Sequence, residues 1–265
     1  MVMGASSLGK RVPQMAEPEA VMAGIKRPAG VQIAGLALNA RGAERAIAAG
    51  VDEVRYVVIA SETFNQRNQG REIAETLKGY DEIAAKVTGA GIKLSAAIGA
   101  AFGCPFEGEV PLNQVINLAK RLAAGGAGEI GLADSIGAGV PPQITERFGA
   151  VRDTLGRDIT LGCHFHNTRN TGFANAVAAL EAGVQVFDSS LGGIGGCPFA
   201  PRATGNIATE DLGFMMRNMG VETGIDLEAL LETATWAQGF FEAPLPGLVM
   251  KAGLFPEVAA KEAAE

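Results

Sequence analysis

The two histidines of this 265-residue chain lie two positions apart, in the segment TLGCHFHNTRNTG. Residues i and i+2 of a β-strand point to the same side, so His164 and His166 would present both imidazoles to one space, with Phe165 facing the other way. Two imidazoles at a strand end form half of a divalent metal site. The alternative is a structural pair that hydrogen-bonds to backbone or water, and the spacing alone leaves both interpretations open.

A glycine-rich segment follows, GGIGGCPFAPRATGNIATED (192–211), with a single thiol at Cys197. Such a loop can close over a ligand, and a thiol on it could act as an acid or base that completes a site on closure. Alternatively, Cys197 is a small buried hydrophobe in an ordinary βα turn. Asn206 could give a neutral oxygen to a metal, whereas Thr209 could be the N-cap of a following helix.

The composition excludes several classes of protein. A net charge of −7 argues against a nucleic-acid-binding surface, which needs clustered lysine and arginine. No apolar run approaches the roughly 18 to 20 residues that span a membrane, and the opening MVMGASSLGKRVPQM lacks a secretory-signal pattern. The three cysteines form no C-x-x-C pair, so we expect reduced thiols and a cytoplasmic protein.

Short apolar, β-rich runs alternate with helical patterns along most of the chain. The predicted strands are 31–38, 54–60, 92–99, 128–134, 159–166 and 184–190. The predicted helices include 40–50, 112–126, 142–156 and 170–183, and several helical stretches close on glycine, at Gly50, Gly91, Gly156 and Gly183. Near-continuous apolar strands indicate a parallel sheet covered on both faces, either an open doubly wound sheet or a closed barrel.

The polar residues at the strand ends favour the barrel. No G-x-G-x-x-G fingerprint of a dinucleotide fold follows an early strand, whereas polar side chains gather where the runs end, as a TIM barrel requires of its active face. These side chains are Asn39, Ser61, Glu62, Asp134, His164, His166, Asp188 and Ser189.

We therefore predict an α/β fold of the TIM (β/α)₈ type. It forms a single domain over residues 1–265, with a loose or helical appendage from about residue 240. Only about seven strands can be placed, even if MVMG ends one of them, whereas a closed barrel of this type has eight. The first βα unit is therefore expected to be missing.

Three motifs stand out together: HFHNT (164–168), GGCPFA (195–200) and TGNIATED (204–211). Four further segments accompany them: VPQM (12–15), ASETFNQRN (60–68), GCPFEGEV (103–110) and GLADSIGAGVP (131–141). In this order they resemble the 3-hydroxy-3-methylglutaryl-CoA lyase family of the DRE-TIM metallolyases. The resemblance extends from about residue 5 to about residue 240.

The resemblance implies a TIM barrel that uses Mg²⁺ or Mn²⁺ and splits a 3-hydroxy-3-methylacyl-CoA into acetyl-CoA and a keto acid. The residues it implicates are the metal ligands His164, His166 and Asn206 and the catalytic residues Cys197, Asp134 and Glu210. Cys197 would exchange protons with the reacting carbons, while Asp134 would be an acidic site residue with Glu210 beside it. The partners it implies are an acyl-CoA substrate and a second copy of the chain in a homo-oligomer. Arg67 is one candidate for contacting CoA, or else a solvated loop charge.

The chain also departs from this family. The Arg-Asp-Gly run, which supplies a metal-binding Asp and an enolate-stabilising Arg, has no counterpart in these residues. Val2 stands where an acidic residue usually lies, and Asn167 replaces the commoner Asp of H-x-H-D-T. Hard cations prefer carboxylate oxygen, so the neutral donors that remain should bind Mg²⁺ weakly.

We therefore expect low or no lyase activity from this chain, as a fragment of an active lyase or as a short variant that lost catalysis. Two other functions stay open: cleavage of a different 3-hydroxyacyl-CoA, and a catalytically dead barrel that acts as a binding or assembly subunit. A Claisen-type synthase is less favoured, because the Cys197 loop is a feature of the lyases.

Overall fold

The computed structural model describes residues 17–196 and 205–255, in which strands and helices alternate through most of the range. The strands are β1 (Ala34–Leu36), β2 (Glu53–Ile59), β3 (Lys93–Gly99), β4 (Glu129–Asp134), β5 (Thr160–Phe165) and β6 (Val186–Asp188). The helices are α1 (Pro18–Gly24), α2 (Ala40–Ala48), α3 (Glu62–Gln69), α4 (Ile73–Gly89), α5 (Leu112–Ala124), α6 (Pro141–Leu155), α7 (Gly172–Glu181), α8 (Thr209–Asn218), α9 (Leu227–Gln238) and α10 (Val249–Ala252).

The six strands form one parallel sheet in the sequential order β1 to β6. The sheet is strongly curled, as a contact between distant strands shows: Arg55 Nη1 on β2 lies 2.5 Å from Asp188 Oδ2 on β6. Four strand spacings separate these strands, about 19 Å in a flat sheet, which is farther than an Arg and an Asp side chain can bridge. The predicted α/β fold of the TIM type is thus confirmed, as a half-barrel of parallel strands within the described residues.

Alternation along each strand separates a helix-facing layer from the concave interior. On β2, Tyr56 is fully buried towards the helices and donates its hydroxyl to Thr76 O of α4 at 2.7 Å. Its neighbours Arg55 and Val57 line the concave side. Full burial of such a large side chain stabilises the fold by about 1.5–3 kcal/mol, so this layer fixes the strand register.

The helix ends follow the local sequence. The Asn39 side chain caps α2 by accepting from Gly42 N at 2.8 Å. The four glycines predicted to close helices all have positive φ, from 70° to 80°, which confirms that prediction (Gly50, Gly91, Gly156 and Gly183). Helix α8 begins at Thr209 after the cap residue Ala208, so Thr209 is the first helical residue and not the cap.

Each of the six predicted strand segments contains an observed strand, or matches one within a residue at its start. The seventh, MVMG, lies outside the described residues. Beyond Trp236 the chain is partly packed, since Leu245 is buried against Gly192. The single-domain boundary over 1–265 stays a prediction. Among the described helices, none is long and apolar enough to cross a membrane.

Candidate active site

The two histidines lie where β5 ends, and their ring centroids are 5.2 Å apart with the planes tilted by 69°. Both imidazoles border the concave interior of the sheet. Phe165 between them is fully buried on the opposite side and packs against Phe102, with ring centroids 6.1 Å apart. The period of the strand thus places the two nitrogen-bearing rings in one space.

The backbone brings Asn206 to the same strand end. Residue 206 forms an antiparallel bridge with His166, and Ile207 N donates to Phe165 O at 3.1 Å. The Asn206 amide donates from Nδ2 to Ile194 O at 2.9 Å. Its oxygen, Oδ1, is buried and accepts no hydrogen bond of normal geometry among the described residues, although the amide lies near enough to His164 to raise the pKa of that imidazole.

A buried amide oxygen next to two imidazoles is a donor pattern that suits a divalent cation. All three donors are neutral. Within residues 17–196 and 205–255, no three His, Cys, Asp or Glu side chains are grouped so as to hold a metal. The residues present therefore fit part of a divalent-cation site. A hard cation would prefer a carboxylate oxygen in addition to these neutral donors.

His164 is a neutral imidazole at ordinary pH. Burial lowers its pKa to about 4, and the nearby Asp188 carboxylate opposes this effect. The positive charge of a protonated His166 and that of Arg55 lower the pKa further. A neutral imidazole is the form that can coordinate a metal ion.

A cavity of about 520 Å³ lies on the concave face and includes both histidines. This volume is typical of a small-molecule site. Its polar lining consists of Arg55, Asn68, Ser135, His164, His166, Asp188 and Ser189, and the rest is largely apolar, with Leu36, Val57, Ile59 and Phe64. Few polar groups on an apolar wall would orient a bound small molecule and exclude water from it.

Asp134 ends β4 and is fully buried beside this cavity. Its carboxylate oxygens accept from Ala138 N at 3.0 Å and from Gly139 N at 2.8 Å, and its carbonyl accepts from His166 N at 3.4 Å. Burial raises the pKa of Asp134, although these amides and His166 act against it. The carboxylate therefore holds the loop after β4 at the end of that strand, and the main-chain carbonyl links this end to the strand that carries the histidines. Asp134 itself is not among the residues that line the cavity.

Glu210 lies in the first turn of α8 and is also fully buried. One oxygen accepts from Gly192 N at 3.0 Å, whereas Oε1 is buried without a partner among the described residues. Burial raises the pKa of Glu210. Glu210 is not among the residues that line the cavity; it anchors the turn at which the glycine-rich segment begins.

Cys197 lies outside the described residues. The two described ends of its loop meet, since a Cβ added to Gly205 would lie 2.2 Å from Gly193 O. Only glycine permits so close an approach, which brings both ends of the segment to the histidines. Arg67 is exposed and its guanidinium stacks on Phe106, 4.1 Å from the ring centroid.

Two further residues of the cavity carry charge that the sequence did not point to as a site. Arg55 interrupts the apolar run VRYVVIA, and a charged residue within an apolar strand could have indicated a site residue. Asp188 had only its place at a strand end. The structure joins the two across the sheet, next to His164.

Comparison with known proteins agrees with this architecture. The model of the HMGL-like family matches residues 4–236. The chain is 48% identical over 221 residues to the (R)-citramalyl-CoA lyase of Chloroflexus aurantiacus, a match that covers 83% of this chain and 69% of that protein. It is 38% identical over 237 residues to a hydroxymethylglutaryl-CoA lyase of Bacillus subtilis, covering 89% of this chain and 79% of the relative.

A solved structure gives the same picture. The chain superimposes with a TM-score of 0.90, at 35% identity, on an HMG-CoA lyase from Acinetobacter baumannii in complex with coenzyme A and 3-methylmalate. The match covers 97% of this chain and 83% of that one.

Proposed function

Because the chain belongs to the HMGL-like family and is a lyase that acts on a coenzyme A ester, we propose that it cleaves a 3-hydroxy-3-methylacyl-CoA into acetyl-CoA and a keto acid. The observation that carries this proposal is the convergence of His164, His166 and the orphaned Asn206 oxygen at the end of β5. The two histidines border a cavity large enough for the reacting part of such an ester.

We assign His164, His166 and Asn206 as ligands of Mg²⁺ or Mn²⁺. A bound divalent ion supplies Lewis-acid stabilisation of the oxygens of the substrate. The neutral state of His164 and the lack of a partner for Asn206 Oδ1 support this assignment. Asn206 Nδ2, tied to Ile194 O, keeps the amide oriented with its oxygen free.

The reaction needs a proton removed and a proton returned. Loss of the 3-hydroxyl proton lets the C2–C3 bond break, and its electron pair passes to the thioester as an enolate, which a proton then converts to acetyl-CoA. We assign both transfers to Cys197: its thiolate takes the 3-hydroxyl proton, and the resulting thiol returns a proton to the enolate carbon. Asp134 fixes the loop after β4 beside His166, and Glu210 fixes Gly192 at the start of the loop that carries Cys197.

Two substrates of this class differ by one methylene group. 3-Hydroxy-3-methylglutaryl-CoA would yield acetoacetate, whereas citramalyl-CoA, whose carboxylate is attached directly to the hydroxyl-bearing carbon, would yield pyruvate. The 48% identity to a citramalyl-CoA lyase, against 38% to the Bacillus lyase, favours testing both. Because one methylene in an apolar pocket changes binding by about 1–3 kcal/mol, the two rates should differ clearly.

The neutral ligand set limits the expected rate. Hard cations prefer carboxylate oxygen, and the Asp188 carboxylate near His164 is already bound to Arg55. We therefore propose that these 265 residues bind the ion weakly and turn over slowly unless a carboxylate donor is added. We also propose that the chain forms a homo-oligomer, which light scattering of the purified protein would measure.

The test is acetyl-CoA release from each ester with Mn²⁺ present, in the wild type and in His166→Ala. Slow release that depends on metal and on His166 would support the proposal, and the keto acid formed would identify the substrate. Turnover as fast as that of the Bacillus relative would contradict the slow rate. A chain that binds neither Mn²⁺ nor the esters would instead be the catalytically dead barrel.

A further inference from the structure

A cluster of charged side chains lies on the concave face next to the histidines. Arg55 donates to Asp188 Oδ2 at 2.5 Å, to Glu129 Oε1 at 2.7 Å and to Glu53 Oε1 at 3.2 Å. It also donates to Ser95 Oγ at 3.1 Å. With 19% of its side chain exposed, Arg55 is held by contacts to four side chains.

Only one of the three carboxylates is adjacent to a histidine in the sheet. In the register between β5 and β6, Asp188 lies directly opposite His164, and both side chains line the cavity. Glu129 is opposite Thr160, at the start of β5. Arg55 therefore connects the interior of β2 to the strand position beside His164, across the full curl of the sheet.

Asp188 needs an anchor to hold a fixed position. Its side chain is 39% exposed, the largest fraction in the cluster, so without Arg55 it would be free to turn towards solvent. A charge-assisted bond from a guanidinium fixes both its direction and its charge.

We propose that Arg55 is a positioning residue, which fixes the Asp188 carboxylate beside His164 so that this imidazole is held in the orientation that binds the divalent ion. This inference rests on the proposed function only for the role of the ion. Partners that support a ligating histidine commonly change metal affinity by about 10- to 100-fold when they are removed.

A purely structural cluster would behave differently. If Arg55 served only to neutralise nearby carboxylates, loss of Glu129 and loss of Asp188 would have the same small effect on Mn²⁺ affinity and on the His164 signals. Glu129→Gln is therefore the matched control, because it removes one carboxylate from Arg55 but leaves the bond to Asp188. Burial raises the pKa of Glu129, so the neutral replacement is well tolerated there.

The experiment compares wild type, Arg55→Lys, Asp188→Asn and Glu129→Gln by two measurements. The first is the Mn²⁺ affinity from calorimetry. The second is the ¹⁵N imidazole spectrum of the metal-free protein at one fixed pH. The protein contains only two histidines, so the His166→Gln variant assigns the signals of each. We expect Arg55→Lys and Asp188→Asn to weaken Mn²⁺ binding by about tenfold or more and to shift the His164 signals, with Glu129→Gln like the wild type.

Other outcomes separate this inference from the proposed function. Wild-type Mn²⁺ affinity and unchanged His164 signals in Arg55→Lys and Asp188→Asn would overturn the positioning role. If the wild type binds no Mn²⁺, the metal assignment fails, and the imidazole spectrum of the metal-free variants still decides whether Arg55 acts on His164. An equal effect of Glu129→Gln on His164 would also overturn the inference, in favour of a general electrostatic cluster.

Discussion

Replacement of Asn206 by alanine separates metal binding from folding. The substitution removes the bond from Nδ2 to Ile194 O, which a typical net value places at about 1 kcal/mol. It also removes Oδ1, a buried acceptor without a partner among the described residues, whose desolvation cost of about 1–3 kcal/mol then disappears. The two effects oppose each other, so the metal-free Asn206→Ala variant should have a free energy of unfolding between that of the wild type and about 2 kcal/mol above it.

The affinity for Mn²⁺ should respond differently. Loss of one of three described donors should weaken binding at least tenfold, which corresponds to about 1.4 kcal/mol. Urea unfolding without metal gives the first quantity, and calorimetric titration with Mn²⁺ gives the second. Asn167→Ala is the control, because Asn167 is the neighbouring amide beyond His166 and is bonded to Gly172 N and Asn170.

Either of two results would refute this reasoning. Unchanged Mn²⁺ affinity in Asn206→Ala would show that Oδ1 is not a ligand. Destabilisation of the metal-free protein by more than about 3 kcal/mol would show that the amide oxygen is well satisfied without an ion, contrary to its isolation among the described contacts.

Three further predictions concern the surrounding scaffold. Arg147→Met leaves the buried carbonyls of Ala101 and Val110 without the guanidinium that donates to each at 2.7 Å, so urea unfolding should show a loss of about 2 kcal/mol, and no loss would contradict these bonds. Gly247→Ala places a Cβ 2.1 Å from Glu210 Oε1, so the free energy of unfolding in urea should fall by about 1–3 kcal/mol. An unchanged free energy of unfolding would show that the carboxyl group moves aside freely. Burial raises the pKa of Glu210 above the 4.5 of an unperturbed Glu, so ionisation favours the unfolded chain as pH rises from 4.5 to the higher folded value. The difference in free energy of unfolding between Glu210→Gln and the wild type should therefore grow in favour of the variant as pH rises through that window, and should stay constant below it. A difference in urea unfolding that does not depend on pH would contradict the raised pKa.

The strands and the histidine pair could be predicted because they depend on local pattern. Apolar runs, glycines after helices and the period of two along β5 act over a few residues, and the structure places His164, Phe165 and His166 as that period requires. The similarity to lyases rested on short motifs that the family comparison then matched over residues 4–236.

Other features depend on how distant segments meet. The pair of Arg55 and Asp188 exists only because the sheet curls, and their separation of 133 residues carries no local signal. The sequence likewise could suggest Asn206 as a donor but not the free state of its oxygen, which results from the bridge to His166 and the bond to Ile194. Glu210 was expected to be a catalytic residue next to Asp134, whereas its bond to Gly192 depends on how α8 packs against a distant turn and carries no local signal.

The central claim is that a coenzyme A ester is cleaved at the His164 and His166 site with a divalent ion. The most direct test is Mn²⁺-dependent release of acetyl-CoA from 3-hydroxy-3-methylglutaryl-CoA and from citramalyl-CoA, in the wild type and in His166→Ala. We predict slow release above the spontaneous rate from at least one ester, abolished in His166→Ala and by removal of the metal. Release at the same rate in His166→Ala or without metal would contradict the account.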